Sequence, residues 1–153
     1  MEQKIYISIE DVKLVSFAKT DLFDQITEFG NKENYQFTFE FKGEPIVDDK
    51  IYIASYTITP QLKTPDGSKD IAILKTSCVF SVTNWDEVVT KDNNQLNIPY
   101  SLIYNAAGIA LSTTRGILAM LVKDTALSKL ILPIINVQEQ VLSHLNSIGV
   151  QIK

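Results

Sequence analysis

The sequence is poor in the side chains that most enzymes use for chemistry. Its 153 residues include one cysteine, Cys78, and one histidine, His144. A single cysteine excludes a disulfide within the chain and a thiolate metal cluster. Any catalytic triad would have to use His144, which lies beside the apolar stripe of a short helix and is interpreted as a surface or core histidine. No phosphate loop, nucleophile elbow or paired-histidine zinc motif is present. We therefore predict a protein without enzymatic activity, cofactor or metal.

Positive charge is also scarce. The chain has 14 basic and 18 acidic residues, a net charge of -4, and its lysines and arginine are scattered. A nucleic-acid binder needs a basic patch that releases counterions from phosphates, so nucleic acid is not an expected partner. The basic start and continuous apolar stretch of a signal peptide are both missing. A lone cysteine fits a reducing compartment, and we expect a cytoplasmic protein.

Long apolar runs are confined to one segment, Ser101–Leu121, whose only charged residue is Arg115, followed by Gly116. Three interpretations compete: a membrane span, a nucleophile site at Ser112–Thr114, or a buried helix. The polar interruptions disfavour a span, so none is expected. A helix that is apolar nearly all round must be buried on most sides. One four-stranded sheet covers only one side, so the remaining cover is expected from another copy of the chain. A buried Arg115 would then need a carboxylate or backbone carbonyls, either at a subunit boundary or at the exposed end of the helix.

The first half of the chain predicts strands. In the first strand the apolar phase shifts after Ile9 and again after Leu14, which predicts bulges because each added residue exchanges the faces. A helix with Asp21 near its start is expected to stop at Gly30. The segment from Lys50 to Val82 predicts a long hairpin whose faces are both apolar and both need cover.

The second half predicts helices. The polar stretch TNWDEVVTKDNNQLNIP is interpreted as a loop, and a long helix begins near Pro99. A shorter helix follows Asn136, a plausible N-cap, and ends at Gly149. Strands followed by helices indicate an α+β fold, here one domain over residues 1–153 with a four-stranded sheet, a long helix and a shorter C-terminal helix.

One strand carries an uninterrupted row of aromatic side chains: Tyr35, Phe37, Phe39 and Phe41. Such a row either packs in the core against a helix or lines a groove for an apolar ligand or peptide. Trp85 has the same two interpretations. As a groove, the surface would include Trp85 and two residues of the last helix's apolar stripe, Val141 and Leu145.

Short motifs in a fixed order resemble the SecB family of export chaperones. They are Phe80-Ser81 in the last strand, Tyr104 placed before Thr114-Arg115-Gly116 at a matching interval, and Leu132-Pro133-Ile134 leading into the last helix. The order and spacing of the motifs carry the resemblance, which spans most of the chain from about Tyr35.

The resemblance implies an antiparallel sheet and a homotetramer, a dimer of dimers, with the long helices at the interface. Its interface residues would be Tyr104, Ala107, Ala110, Leu111, Arg115 and Gly116. It further implies an ATP-independent holdase whose partners are unfolded polypeptides bound along hydrophobic grooves. The alternative is an adaptor dedicated to one partner, such as a chaperone of a toxin-antitoxin system. The family's acidic residue for docking a translocase motor falls around Ile73 to Lys75, where no carboxylate stands, so the motor is left open as a partner.

Overall fold

A computed structural model of the chain describes residues 4–150 as an antiparallel sheet with two helices packed on one face. The elements, in chain order, are β1 (Ile7–Lys19), α1 (Asp21–Gln25), a 3-10 turn (Lys32–Asn34), β2 (Tyr35–Ile46), β3 (Ile51–Thr64), β4 (Gly67–Asp70), β5 (Ala72–Val82), α2 (Trp85–Val88), β6 (Thr90–Asp92), β7 (Gln95–Asn97), α3 (Tyr100–Val122) and α4 (Val137–Ser147).

Four long strands form the sheet in the order β1-β5-β3-β2, and every neighbouring pair is antiparallel. The short β4 pairs with the end of β3, so β3 and β5 make the long hairpin that the sequence predicts. β6 and β7 form a separate small hairpin. The predicted α+β class, with strands first and helices last, is confirmed.

β1 is an edge strand with two bulges. Its register with β5 shifts between Ile9 and Asp11 and again between Leu14 and Ser16, which confirms the two phase shifts in the sequence. Apart from its half-buried Ile7 and Phe17, β1 is exposed to solvent along its length. Its outer edge therefore has no cover from the described residues 4–150.

The core lies between one face of the sheet and α3. Alternate residues of β3 are buried there, and so are their neighbours on β5, including Tyr56, Ile58, Leu74 and Phe80. The opposite face of β3 is mostly half-buried, and it carries two isoleucines followed by polar residues from Ser55 onward. Within residues 4–150 the helices thus cover one face of the sheet, where the sequence predicted that both faces need cover.

α3 rests its small residues on the sheet. Ala106, Ala107 and Ala110 have 0 to 1% of their surface exposed, which brings the helix backbone close to β3 and β5. In the part of the chain that the structure describes, α3 is the one helix long and apolar enough to cross a bilayer, and its buried side packs against β3 and β5. The chain's own sheet covers one side of α3, whereas Tyr104, Ala119 and Met120 elsewhere on the helix are exposed within residues 4–150. Cover of these remaining residues by another copy of the chain stays a prediction.

Two local predictions are wrong. The helix expected to stop at Gly30 ends at Gln25, and Ile26 already has extended backbone angles. Phe29 is held outside a helix because its ring stacks on Tyr35 at 4.6 Å and its carbonyl accepts a hydrogen bond from the Tyr35 hydroxyl. The stretch interpreted as a loop contains α2 and the β6–β7 hairpin, and the buried Trp85 anchors α2.

α4 begins and ends as the sequence predicts. The Asn136 side chain accepts a hydrogen bond from the Gln138 amide and donates one to Glu139, which is a capping arrangement. Gly149 follows the helix with a φ of +75°, the left-handed conformation that favours glycine. α4 packs beside β2 and against α3, so it closes the end of the core nearest to β2.

Candidate functional site

The aromatic row of β2 is buried at its ends and open in its middle. Tyr35 and Phe41 are 8% and 3% exposed, whereas Phe37 and Phe39 are half-buried. The Phe37 and Phe39 rings lie 6.1 Å apart on the helix side of the sheet. The ends of the row therefore belong to the core, and its middle packs against the core with part of its aromatic surface exposed.

Each buried end is held by a specific contact. The Tyr35 hydroxyl donates to the Phe29 carbonyl at 2.7 Å, and the two rings stack. At the other end the Phe41 ring packs edge-on against His144 of α4 at 5.4 Å and tilts against Tyr56 at 5.3 Å. These contacts fix the two ends of the row, so Phe37 and Phe39 stand on a rigid strand.

A shallow depression lies at each end of the open stretch. One, of about 180 Å³, is lined by Phe39 and Phe41 of β2 and by the polar side of α4. The other, of about 340 Å³, is lined by Phe29, Tyr35, Leu62 and the turn after α1. We call Phe37, Phe39 and these two depressions the β2 groove. The sequence did not predict the α4 wall of the groove, because polar residues at helical spacing usually face solvent. This wall consists of Gln140, Ser143, His144 and Ser147.

His144 connects α4 to the backbone of β2. Its Nε2 lies 3.2 Å from both the amide nitrogen and the carbonyl oxygen of Gly43. Burial lowers the pKa of His144, the backbone contact with Gly43 opposes that shift, and the charge of Lys42 adds to the lowering. The neutral imidazole is thus the favoured form, in keeping with a histidine satisfied by packing.

The other three predicted groove residues lie inside the core. Trp85, Val141 and Leu145 are 3%, 0% and 5% exposed and are packed by the chain itself. Val141 and Leu145 occupy the side of α4 that faces the core, opposite the α4 wall of the groove. Trp85 stands on α2, outside the residues that line either depression. The open aromatic surface of the groove is therefore centred on Phe37 and Phe39.

The predicted interface residues of α3 divide by burial. Ala107, Ala110 and Leu111 are buried against the chain's own core, whereas Tyr104 and Gly116 are exposed. Arg115 is half-buried, and its Nη2 donates to the Pro133 carbonyl at 2.7 Å. A backbone carbonyl is thus the partner of the guanidinium, and this carbonyl belongs to the same chain.

A buried polar cluster lies where α3 crosses the sheet. The Thr114 hydroxyl donates to the Ala110 carbonyl at 2.7 Å, so Thr76 donates in the 2.7 Å contact between the two threonine hydroxyls. Burial raises the pKa of Tyr56 to about 12, and Arg115 opposes that rise. Burial also raises the pKa of the Cys78 thiol, although the Thr113 hydroxyl opposes it. Raised pKa values keep the phenol and the thiol protonated, which leaves them poor nucleophiles.

No cluster of three or more histidine, cysteine, aspartate or glutamate side chains able to hold a metal occurs among residues 4–150. The three described ion pairs are all exposed, and the Lys50–Asp86 pair joins the β2–β3 turn to α2. Exposed ion pairs contribute little to stability. The β2 groove is therefore kept as the candidate binding surface, and its chemistry is that of aromatic contact.

Comparison with known proteins places the fold in a class. No protein-family model and no curated protein matches the chain. The sheet with its C-terminal helices is a SecB-like α+β fold. The structure that shows it is a SecB-like chaperone of Mycobacterium tuberculosis in complex with an antitoxin peptide, with a TM-score of 0.53 and 13% sequence identity over 85% of this chain and 88% of that one. A Streptococcus agalactiae protein of unknown function matches with a TM-score of 0.33 and 12% identity over 79% of this chain and 90% of that one.

Proposed function

We propose that the protein is a SecB-like, ATP-independent chaperone that holds non-native polypeptides at the β2 groove. The observation that carries this proposal is the partly exposed pair Phe37 and Phe39, which stands on a strand whose ends are buried in the core. Aromatic rings offer large contact areas at a small entropic cost and accept many apolar partners. The SecB-like fold supports the proposal, since the similar Mycobacterium tuberculosis chaperone is in complex with a peptide.

The test measures client holding without nucleotide. Several unrelated proteins are unfolded and diluted into buffer with or without the chain, and their aggregation is followed by light scattering. We expect the parent to slow aggregation of most of them and Phe39→Ala to be several-fold less effective. Ile134→Ala is the matched control, because Ile134 is 94% exposed yet lies outside the residues that line the groove. Equal activity of Phe39→Ala and the parent would remove the groove from the proposal.

A dedicated adaptor is the second candidate, and the antitoxin peptide bound to the Mycobacterium tuberculosis neighbour favours it. The two functions differ in the number of clients. A holdase protects several unrelated proteins, whereas an adaptor protects none of them and binds one partner. Protection of no client by the parent chain, with retained binding of a single partner from the same cell, would decide for the adaptor.

We also propose that the chain associates with copies of itself. On the helix side of the sheet, Ile9, Val12 and Leu14 pair with buried residues of β5 but are themselves 51%, 43% and 48% exposed. We call these three residues the β1 ledge. An uncovered edge strand with apolar side chains is a ready template for pairing with another chain. Together with Tyr104 and Gly116 of α3, the β1 ledge supplies a surface for a symmetric assembly, which we propose to be a tetramer. We propose that this assembly is cytoplasmic.

A further inference from the structure

Contacts along β2 identify which of its backbone amides and carbonyls point away from the sheet at its outer edge. The Gly43 amide and carbonyl both reach His144 on α4, so they face outward and not toward β3. Two residues along, Pro45 has no amide hydrogen and is suited to an outward position on an edge strand. Backbone groups alternate in direction along a strand, so the odd-numbered residues of β2 carry the outward groups.

An independent contact supports the same assignment at Phe37. Phe37 stands opposite Pro60 of β3, which has no amide hydrogen. The Pro60 carbonyl instead accepts a hydrogen bond from the Ile71 amide at 2.9 Å, on the side away from β2. Phe37 and Pro60 therefore exchange no backbone hydrogen bond, and the amide and carbonyl of Phe37 point outward. Phe39 lies between Phe37 and Gly43 in an unbroken register and does the same.

These outward groups are unpaired as far as the described part of the chain shows. Within residues 4–150, no backbone or side-chain group outside the sheet bonds to the main chain of Phe37 or Phe39. On one side of this stretch α4 covers the edge at Gly43, and on the other Phe29 closes over the Tyr35 ring. A short length of open β edge thus coincides with the open part of the aromatic row.

We propose, on the basis of the proposed function, that an extended segment of client adds to the sheet as a strand on the outer edge of β2 at Phe37 and Phe39. The two faces of β2 define the client's pattern. Side chains on the helix side meet the two phenylalanine rings, whereas those on the other side meet Thr38 and Glu40, which are exposed and polar. The expected occupant is a segment that alternates apolar and polar residues, because its main chain completes the hydrogen bonds and its apolar side contacts the rings.

The experiment uses a fluorescein-labelled peptide that alternates valine or phenylalanine with threonine and ends in lysines. Binding to the full chain is measured by fluorescence anisotropy. Two derivatives carry backbone N-methyl groups, either on one alternating set of residues or on the other. Strand addition predicts that the set facing β2 weakens binding by about tenfold or more, while the other set leaves it within about twofold. Equal effects of the two sets would overturn strand addition.

Variants of the chain give a second measurement. Phe39→Pro removes the ring and the outward amide hydrogen, whereas Phe39→Ala removes the ring and keeps the amide. Proline at this position leaves the hydrogen bonds to β3 intact, and circular dichroism checks that both variants fold. We expect Phe39→Pro to bind the unmodified peptide about fivefold more weakly than Phe39→Ala. Equal affinities of the two folded variants would contradict the proposal.

The outcomes separate this proposal from the proposed function. If the unmodified peptide fails to bind while unfolded proteins are still protected, strand addition is wrong and the chaperone function stands. If both binding and protection are missing, both proposals are wrong. If Phe39→Pro abolishes self-association measured by light scattering, the occupant of the edge is a second copy of the chain, and client strand addition is overturned.

Discussion

Replacing Gly43 by alanine tests the packing that supports the β2 groove. An added Cβ would overlap the hydroxyl of Tyr52 and lie 2.6 Å from its Cζ and 3.3 Å from Cζ of Phe41. Tyr52 is 2% exposed, so its ring has little space to move. Glycine to alanine at an unstrained site stabilises a protein by about 0.4–1 kcal/mol, because the unfolded chain loses freedom. Overpacking of a core costs about 1–3 kcal/mol, so we expect a net loss of about 1–2 kcal/mol for Gly43→Ala.

The assay is urea denaturation followed by the fluorescence of Trp85, the only tryptophan, which is buried and reports unfolding. Gly108→Ala is the matched control, since nothing lies within 4 Å of its added Cβ and its helical site favours alanine by about 1 kcal/mol. Removing the Tyr52 hydroxyl with Tyr52→Phe relieves part of the overlap, so Gly43→Ala should cost about 1 kcal/mol less in that background. A Gly43→Ala chain as stable as the parent, with a stabilised Gly108→Ala, would refute this account of the Tyr52 packing.

Three further predictions concern the other contacts described. Burial lowers the pKa of His144, so the neutral imidazole contributes stability that is present above about pH 6.5 and is lost as the pH falls through the lowered pKa. Thermal unfolding at a series of pH values should show this loss for the parent and not for His144→Gln. Identical pH profiles of the two proteins would contradict the prediction. Thr114→Val leaves the buried Thr76 hydroxyl without its acceptor and should lower the free energy of unfolding by about 1–3 kcal/mol, as measured by urea denaturation. The loss should be smaller for Thr76→Val, and the variant with valine at both positions should recover part of it. Val12→Asp on the β1 ledge should weaken self-association, measured by light scattering, by about tenfold or more. Val47→Asp changes a similarly exposed turn residue and should leave the mass of the assembly unchanged. Equal assembly masses for the two variants would remove the ledge from the proposed interface.

The sequence predicts the fold well where one pattern controls the backbone. The phase shifts of β1 mark its two bulges, and the alternation of aromatic residues marks β2 over its length. Asn136 and Gly149 mark the ends of α4 because capping depends on local geometry. The helix after Asp21 is shorter than its spacing predicts, since the Phe29 contacts with Tyr35 lie beyond the reach of a local pattern.

The candidate groove is only partly predictable for the same reason. Alternation places Tyr35, Phe37, Phe39 and Phe41 on one face, but it does not determine which of them a helix covers. That depends on where α4 lies against β2, and the contact that records its position, His144 with Gly43, joins residues far apart in the chain. The same limit applies to α3, because a segment that is apolar nearly all round does not determine which of its sides the chain's own sheet covers.

The pairing of β1 with β5 has a consequence for the order of folding. Ile7 at the start of β1 pairs with Val82 at the end of β5, so the rest of the sheet lies between them in the chain. Closing so long a loop costs entropy that local contacts do not repay, and the β3–β5 hairpin is expected to form before β1 docks on it. During synthesis β1 leaves the ribosome before its partner β5. Until β5 has been made, Ile9, Val12 and Leu14 are exposed to solvent. The strand on which we expect assembly of the finished protein is therefore also the strand most exposed to aggregation in the nascent one.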